Sequence, residues 1–121
     1  MDVPGTEEAI PFLRRWVRLL LGDEPELAEA FELIASEYGT NALWHSASGA
    51  PGGRIRIEFC VDARRARLTV LDEGPVSEGG RAVPEDVDEH GRGLVLAGAY
   101  ADQVGYGDSA GGRAAWASID R

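Results

Sequence analysis

The chain reads as an α/β protein, a two-layer sandwich in which a mainly antiparallel sheet carries helices on one face. Three observations predict this. Residues 6–45 hold two segments whose apolar side chains recur at helical spacing. Residues 54–72 hold two runs of strict apolar/polar alternation, joined by a connection short enough for a hairpin. Residues 102–119 hold two further strand-like runs joined by a glycine turn. Helices first and paired strands after them must bury one face of each against the other.

Residues 1–5 read as a short, poorly ordered start. Thr6–Leu21 reads as the first helix. Its apolar positions Phe12, Trp16, Leu19 and Leu20 keep helical spacing, Pro11 suits an early turn, and Gly22 suits a stop. Asp23-Glu24-Pro25-Glu26 opens a second helix, with Asp23 as N-cap and Glu26 as capping-box partner. That helix runs to about His45, and its apolar stripe is Leu27, Phe31, Ile34, Tyr38. Ser46–Gly53 is a Ser/Gly/Pro loop. Arg54–Val61 alternates, with Ile55, Ile57, Phe59 and Val61 on one face. After Asp62-Ala63-Arg64, Arg65–Asp72 alternates again, with Ala66, Leu68 and Val70 inward. Residues 75–90 form a polar, acidic loop, and Leu94–Ala101 reads as a short helix. Strands around Asp102–Tyr106 and Arg113–Ile119 close the chain.

At 121 residues the chain is read as one domain, with a core over about 6–119. Hydrophobic residues make up 44% of the chain, and no apolar run approaches the ~20 residues of a membrane span. No partner membrane is expected. The N-terminus lacks a basic-then-apolar signal, and the single cysteine, Cys60, has no internal partner for a disulfide. Both fit a cytoplasmic location. A net charge of −9 makes nucleic acid a poor partner. All 12 basic residues are arginine, so the lysine of a Walker-type phosphate loop is missing.

Polar residues break the apolar pattern at informative places. At about 100° per residue, Asn41 projects only about 20° from Ile34, His45 falls on the same stripe, and Glu37 lies roughly 60° away. Glu37 and Asn41 are one turn apart, so they share a helix face. Such a pair can hold a hydrated divalent cation through the amide oxygen and leave the carboxylate free to take a proton. It can equally be an Asn bonding a loop backbone and a Glu at the solvent boundary. His45 is either a third ligand or, at the helix C-terminus, a hydrogen-bonding cap favoured by the dipole. Asp72 has the parity of Leu68 and Val70, so a carboxylate ends an apolar face. It is either a turn residue before Gly74 or an acceptor for an exocyclic amine. Gly91-Arg92-Gly93 before Leu94 lets backbone N–H groups approach a phosphate at a helix start, or is simply a turn.

Order and spacing add weight. A helix with Glu37-x-x-x-Asn41, a hairpin ending in Asp72-x-Gly74, an acidic loop, then Gly91-x-Gly93 before a helix resembles the Bergerat ATP-binding fold of the GHKL ATPase and kinase superfamily. Within it, the run Leu33–Ser46 and the segment Gly111-Gly112-Arg113-Ala114-Ala115-Trp116 look most like the anti-sigma-factor serine kinases. The resemblance covers about residues 6–119.

It implies ATP and Mg²⁺ as cofactors. Glu37 would correspond to the catalytic base and Asn41 to the Mg²⁺ ligand. Asp72 would take the adenine amine, with Gly74 giving the base room. Gly91, Arg92, Gly93 and Leu94 would border the phosphates under a lid formed by residues 75–90. The implied activity moves the γ-phosphoryl group to a serine of an antagonist protein, with that antagonist or a sigma factor as partner and a homodimer as a possible assembly. Departures are visible. The second glycine of Asp-x-Gly-x-Gly is lost in Asp72-Glu73-Gly74-Pro75-Val76. Four carboxylates crowd Glu85–Glu89. Relatives begin with a strand that residues 1–5 are too short to supply, so the sheet is expected to lack that edge or to have it covered by a partner. These departures keep open a non-catalytic protein-binding module with a degenerate pocket. A metal-dependent hydrolase built on Glu37, Asn41 and His45 is a third reading.

Overall fold

The structure, a computed structural model, describes residues 1–74, 99–109 and 112–121. Its elements are β1 (Asp2–Pro4), α1 (Ala9–Leu20), α2 (Pro25–His45), a 3₁₀ turn (Ala47–Gly49), β2 (Arg54–Val61), β3 (Arg65–Asp72), β4 (Gln103–Ser109) and β5 (Gly112–Asp120). The strands form one sheet in the order β1-β2-β3-β5-β4, each pair antiparallel. Both helices lie on one face, so the architecture is the two-layer α/β sandwich that the sequence predicts. Residues 99–100, within the stretch Leu94–Ala101 expected to be a helix, are helical. Residues 94–98 and the acidic loop of residues 75–90 lie outside the described residues.

The N-terminus differs from expectation. Residues 1–5 are not a loose start, and the edge is not missing: β1 pairs with β2, setting Val3 opposite Ile55. One inward apolar residue suffices, because Val3 is buried. Pro4 is tolerated where its missing N–H falls on a sheet edge. The terminal ammonium donates to the Ile57 carbonyl over 2.8 Å, and the Ile57 N–H donates to the Met1 carbonyl over 2.7 Å.

The first helix also buries a different stripe. Ala9, Leu13 and Val17 are buried, and Phe12, Leu19 and Leu20 are exposed. Trp16 sits between the two faces, edge-on to Phe59. Large apolar side chains of α1 lie on its exposed face. The stripe that packs is the one whose smaller members let α1 approach α2 closely. A Cβ on Gly39 would sit 2.9 Å from the Ile10 side chain and 3.3 Å from Leu13, so the helices cross there at close range.

The second helix starts at Pro25, with Glu24 and not Asp23 as N-cap, and no side chain caps it. Proline supplies a fixed φ at the first helical position. The Glu24 carboxylate is engaged elsewhere, by the Arg121 guanidinium at 2.8 and 3.1 Å. The buried stripe runs Ala28, Phe31, Ala35, Tyr38, Ala42, with Ile34 and Leu43 beside it. Leu27 is half-buried.

The hairpin keeps its expected bounds and register, with Ile57 opposite Val70 and Phe59 opposite Leu68. The Asp62 carboxylate holds its turn, accepting the N–H groups of Arg64 and Arg65, each at 2.8 Å. Those bonds hold its carboxyl below the usual range. Strand β4 runs three residues beyond the expected Tyr106, and β5 gains one residue at each end over Arg113–Ile119. Phe31, Leu13, Ile34, Ile55, Ile57 and Leu68 form the centre of the core. Each large apolar side chain contributes on the order of 1.5–3 kcal/mol by leaving water.

Candidate functional site

Tyr38 fixes how α2 sits on the sheet. Its hydroxyl donates to the Trp116 carbonyl over 3.1 Å, so this side of α2 faces β5. The Gly39 side faces α1. Continuing round the helix away from α1, Asn41 lies about 60° and Glu37 about 100° beyond Tyr38. Both are half-buried, and both make contacts. They therefore occupy the flank of α2 away from α1, beside the apolar stripe on which Ala42 stands. The His45 side chain lies outside what is described.

The C-terminal end of α2 is clamped to the end of β3. The Ser46 hydroxyl donates to the Ala42 carbonyl at 2.5 Å and accepts the Ser48 N–H at 3.1 Å. Ser48, fully buried, accepts the Glu73 N–H at 3.0 Å. Glu73 in turn accepts the Arg54 N–H at 3.1 Å. The C-terminal end of the helix that carries Glu37 and Asn41 thus meets the end of β3 that bears Asp72.

Asp72 points to the helix side, as its parity with Leu68 and Val70 predicts. Its Oδ1 accepts the Gly74 N–H at 2.7 Å, closing a tight turn. Gly74 has φ +86°, a left-handed conformation that glycine adopts without strain. Across the β3–β5 pair Asp72 faces Arg113, and the Arg113 Nε lies 3.7 Å from Oδ1. The close approach of the strands requires Gly112, where any Cβ would overlap the Asp72 carbonyl oxygen. The Arg113 guanidinium lies over the Tyr106 ring, 5.6 Å from its centroid. Burial pushes the Tyr106 phenol up; the Arg113 charge opposes this, and Asp72 and Asp108 add to it.

Sequence reading missed three contributors: Arg113, Tyr106 and Ser48. Arg113 shares the parity of Ala115 and Ala117, so the signal was present once β5 was placed beside β3. Gly91, Arg92, Gly93 and Leu94 lie outside the described residues. A cavity of about 680 Å³ lies elsewhere, against Arg14, Arg18, Glu29, Leu33 and Tyr100. It brings together none of Glu37, Asn41 and Asp72, so the chemistry of the side chains locates the site better than the size of a hollow.

The sequence model of the histidine kinase-like ATPase domain matches residues 3–119. The chain belongs to this family. No curated protein matches it. As a histidine kinase-like ATPase domain it is an ATP-binding domain, and its geometry can be tested against that ligand. A half-buried carboxylate whose Oδ2 accepts no hydrogen bond among the described residues suits an exocyclic amine. Gly74 and Gly112 leave the space beside it without side chains. Among the described residues no three His, Cys, Asp or Glu side chains converge as a metal cage. A single Asn amide suits Mg²⁺ instead, since that ion keeps several waters and is shared with phosphate oxygens. No helix among the described residues is long and apolar enough to cross a membrane.

Proposed function

We propose that this histidine kinase-like ATPase domain works as a regulator resembling the anti-sigma-factor serine kinases. It would bind ATP with Mg²⁺ and move the γ-phosphoryl group to a serine of an antagonist protein, regulating transcription through protein binding in the cytoplasm. The observation that supports the reading is that Glu37 and Asn41 share a face of α2, whose C-terminal end is joined through Ser46 and Ser48 to the end of β3 that bears Asp72.

In this reading Asp72 accepts the amine of the base, and the Gly74 turn keeps its Oδ1 engaged so that the carboxylate cannot swing away. Asn41 offers its amide oxygen to the cation, which supplies charge neutralisation for the transferring group. Glu37, one turn before Asn41, takes the proton of the attacking serine hydroxyl. Gly91, Arg92, Gly93 and Leu94 complete the phosphate side. A sigma factor or its antagonist is the protein partner, and a homodimer is the assembly by resemblance.

Glu37→Ala tests the division of labour. It should leave Mg-ATP affinity within about threefold of the parent and abolish ADP release in the presence of the protein substrate. A variant that turns over ATP at the parent rate would remove Glu37 from the mechanism.

One observation favours a second reading, a non-catalytic binding module: the Arg113 guanidinium already stands beside the Asp72 carboxylate. In that case millimolar Mg-ATP gives neither heat nor a thermal shift.

A further inference from the structure

The Asp72–Arg113 pair sets an acceptor and a donor side by side on the helix face of the sheet. Oδ1 of Asp72 is taken by the Gly74 N–H, and Oδ2 accepts no hydrogen bond among the described residues. The guanidinium is held nearby by its cross-strand position and by the Tyr106 ring. A flat fork of donors next to a carboxylate is a reader of paired acceptor and donor groups.

We propose that Arg113 makes the base site tolerant of guanine, so that the domain takes GTP as well as ATP. The inference rests on the assignment of Asp72 as the group that reads the base. Adenine presents an amine donor at N6 and an acceptor at N1. A carboxylate alone satisfies the amine and would repel the O6 of guanine, which stands where N6 stands in adenine. With Arg113 beside it, guanine can shift along the edge. Its N1–H then donates to Oδ2 of Asp72, and O6 accepts from the guanidinium. Adenine keeps N6 on Asp72 and gains only a contact at N1. Arg113 therefore matters more for the guanine ring, whose unsatisfied O6 would otherwise be left against a half-buried carboxylate.

Calorimetric titration with Mg-ATP and Mg-GTP tests this on the full chain, its Arg113→Ala and Arg113→Gln variants, and Asp72→Asn, with circular dichroism to establish that each is folded. The expected result is a parent that binds both nucleotides within about tenfold of each other. Arg113→Ala should weaken GTP by about tenfold or more and change ATP by less than about threefold, with Arg113→Gln intermediate. A parent that prefers ATP by more than about a hundredfold overturns the inference, as does an Arg113 variant that weakens both nucleotides equally. Asp72→Asn separates the two levels. If it leaves ATP affinity unchanged, the assignment of Asp72 is itself wrong and the inference falls with it. If it weakens ATP while Arg113→Ala leaves the ATP-to-GTP ratio untouched, only the role given to Arg113 fails.

Discussion

The Tyr38 hydroxyl donates to the Trp116 carbonyl over 3.1 Å and so ties the middle of α2 to β5. This bond between α2 and the last strand fixes the rotation of the helix that carries Glu37 and Asn41. Removing it in Tyr38→Phe leaves that carbonyl one donor short. The expected cost is about 1 kcal/mol. For a domain of this size that lowers Tm by about 4 °C, read in a thermal melt.

The same phenol gives a pH signature. Burial pushes Tyr38 from 10.0 up to about 12. In the unfolded chain the phenol loses its proton near its ordinary value, whereas the folded state keeps it. The unfolded state then binds fewer protons, so stability falls as pH rises through about 10 toward 12. Denaturant unfolding at about pH 9 and about pH 11 should show this loss in the parent and a smaller one in Tyr38→Phe. Tyr106, raised in the same direction, accounts for part of what remains.

Gly112→Ala should damage the site from beneath. Its Cβ would overlap the Asp72 carbonyl oxygen, so β3 and β5 must part where the carboxylate and Arg113 face each other. Forced overpacking of this kind costs roughly 1–3 kcal/mol. Amide spectra should show the Gly74 N–H moving as its bond to Asp72 is lost, together with a lower Tm.

Much of this was legible in the sequence, and the exceptions share causes. Strand bounds and register in the β2–β3 hairpin follow from alternation alone, because one face is buried and a one-residue slip would turn Ile57 and Leu68 outward. Asp72 stood out for the same reason. The helices were harder, since α1 has two apolar faces and side-chain size does not say which one packs. Phe12 and Leu19 looked like core, but Ala9, Leu13 and Val17 fill it. β1 escaped notice because a three-residue edge strand needs only Val3 to hold it. Arg113 was invisible as a site residue until pairing set it opposite Asp72, a relation between strands far apart in the chain.

The two faces of α1 give a direct contrast. Leu13 is fully buried, whereas Leu19 is 77% exposed. Leu13→Ala should cost about 2–5 kcal/mol. Leu19→Ala should stay within about 0.5 kcal/mol of the parent in the same urea titration. Equal losses would mean that α1 packs by its other face.

We propose that Asp72 and Asn41 belong to one nucleotide pocket, and calorimetric titration of Mg-ATP into the parent and Asp72→Asn tests this most directly. The account predicts saturable binding by the parent, weakened by about tenfold or more when the carboxylate becomes an amide. Absence of heat from the parent at millimolar nucleotide, or equal affinity in the two proteins, would contradict it.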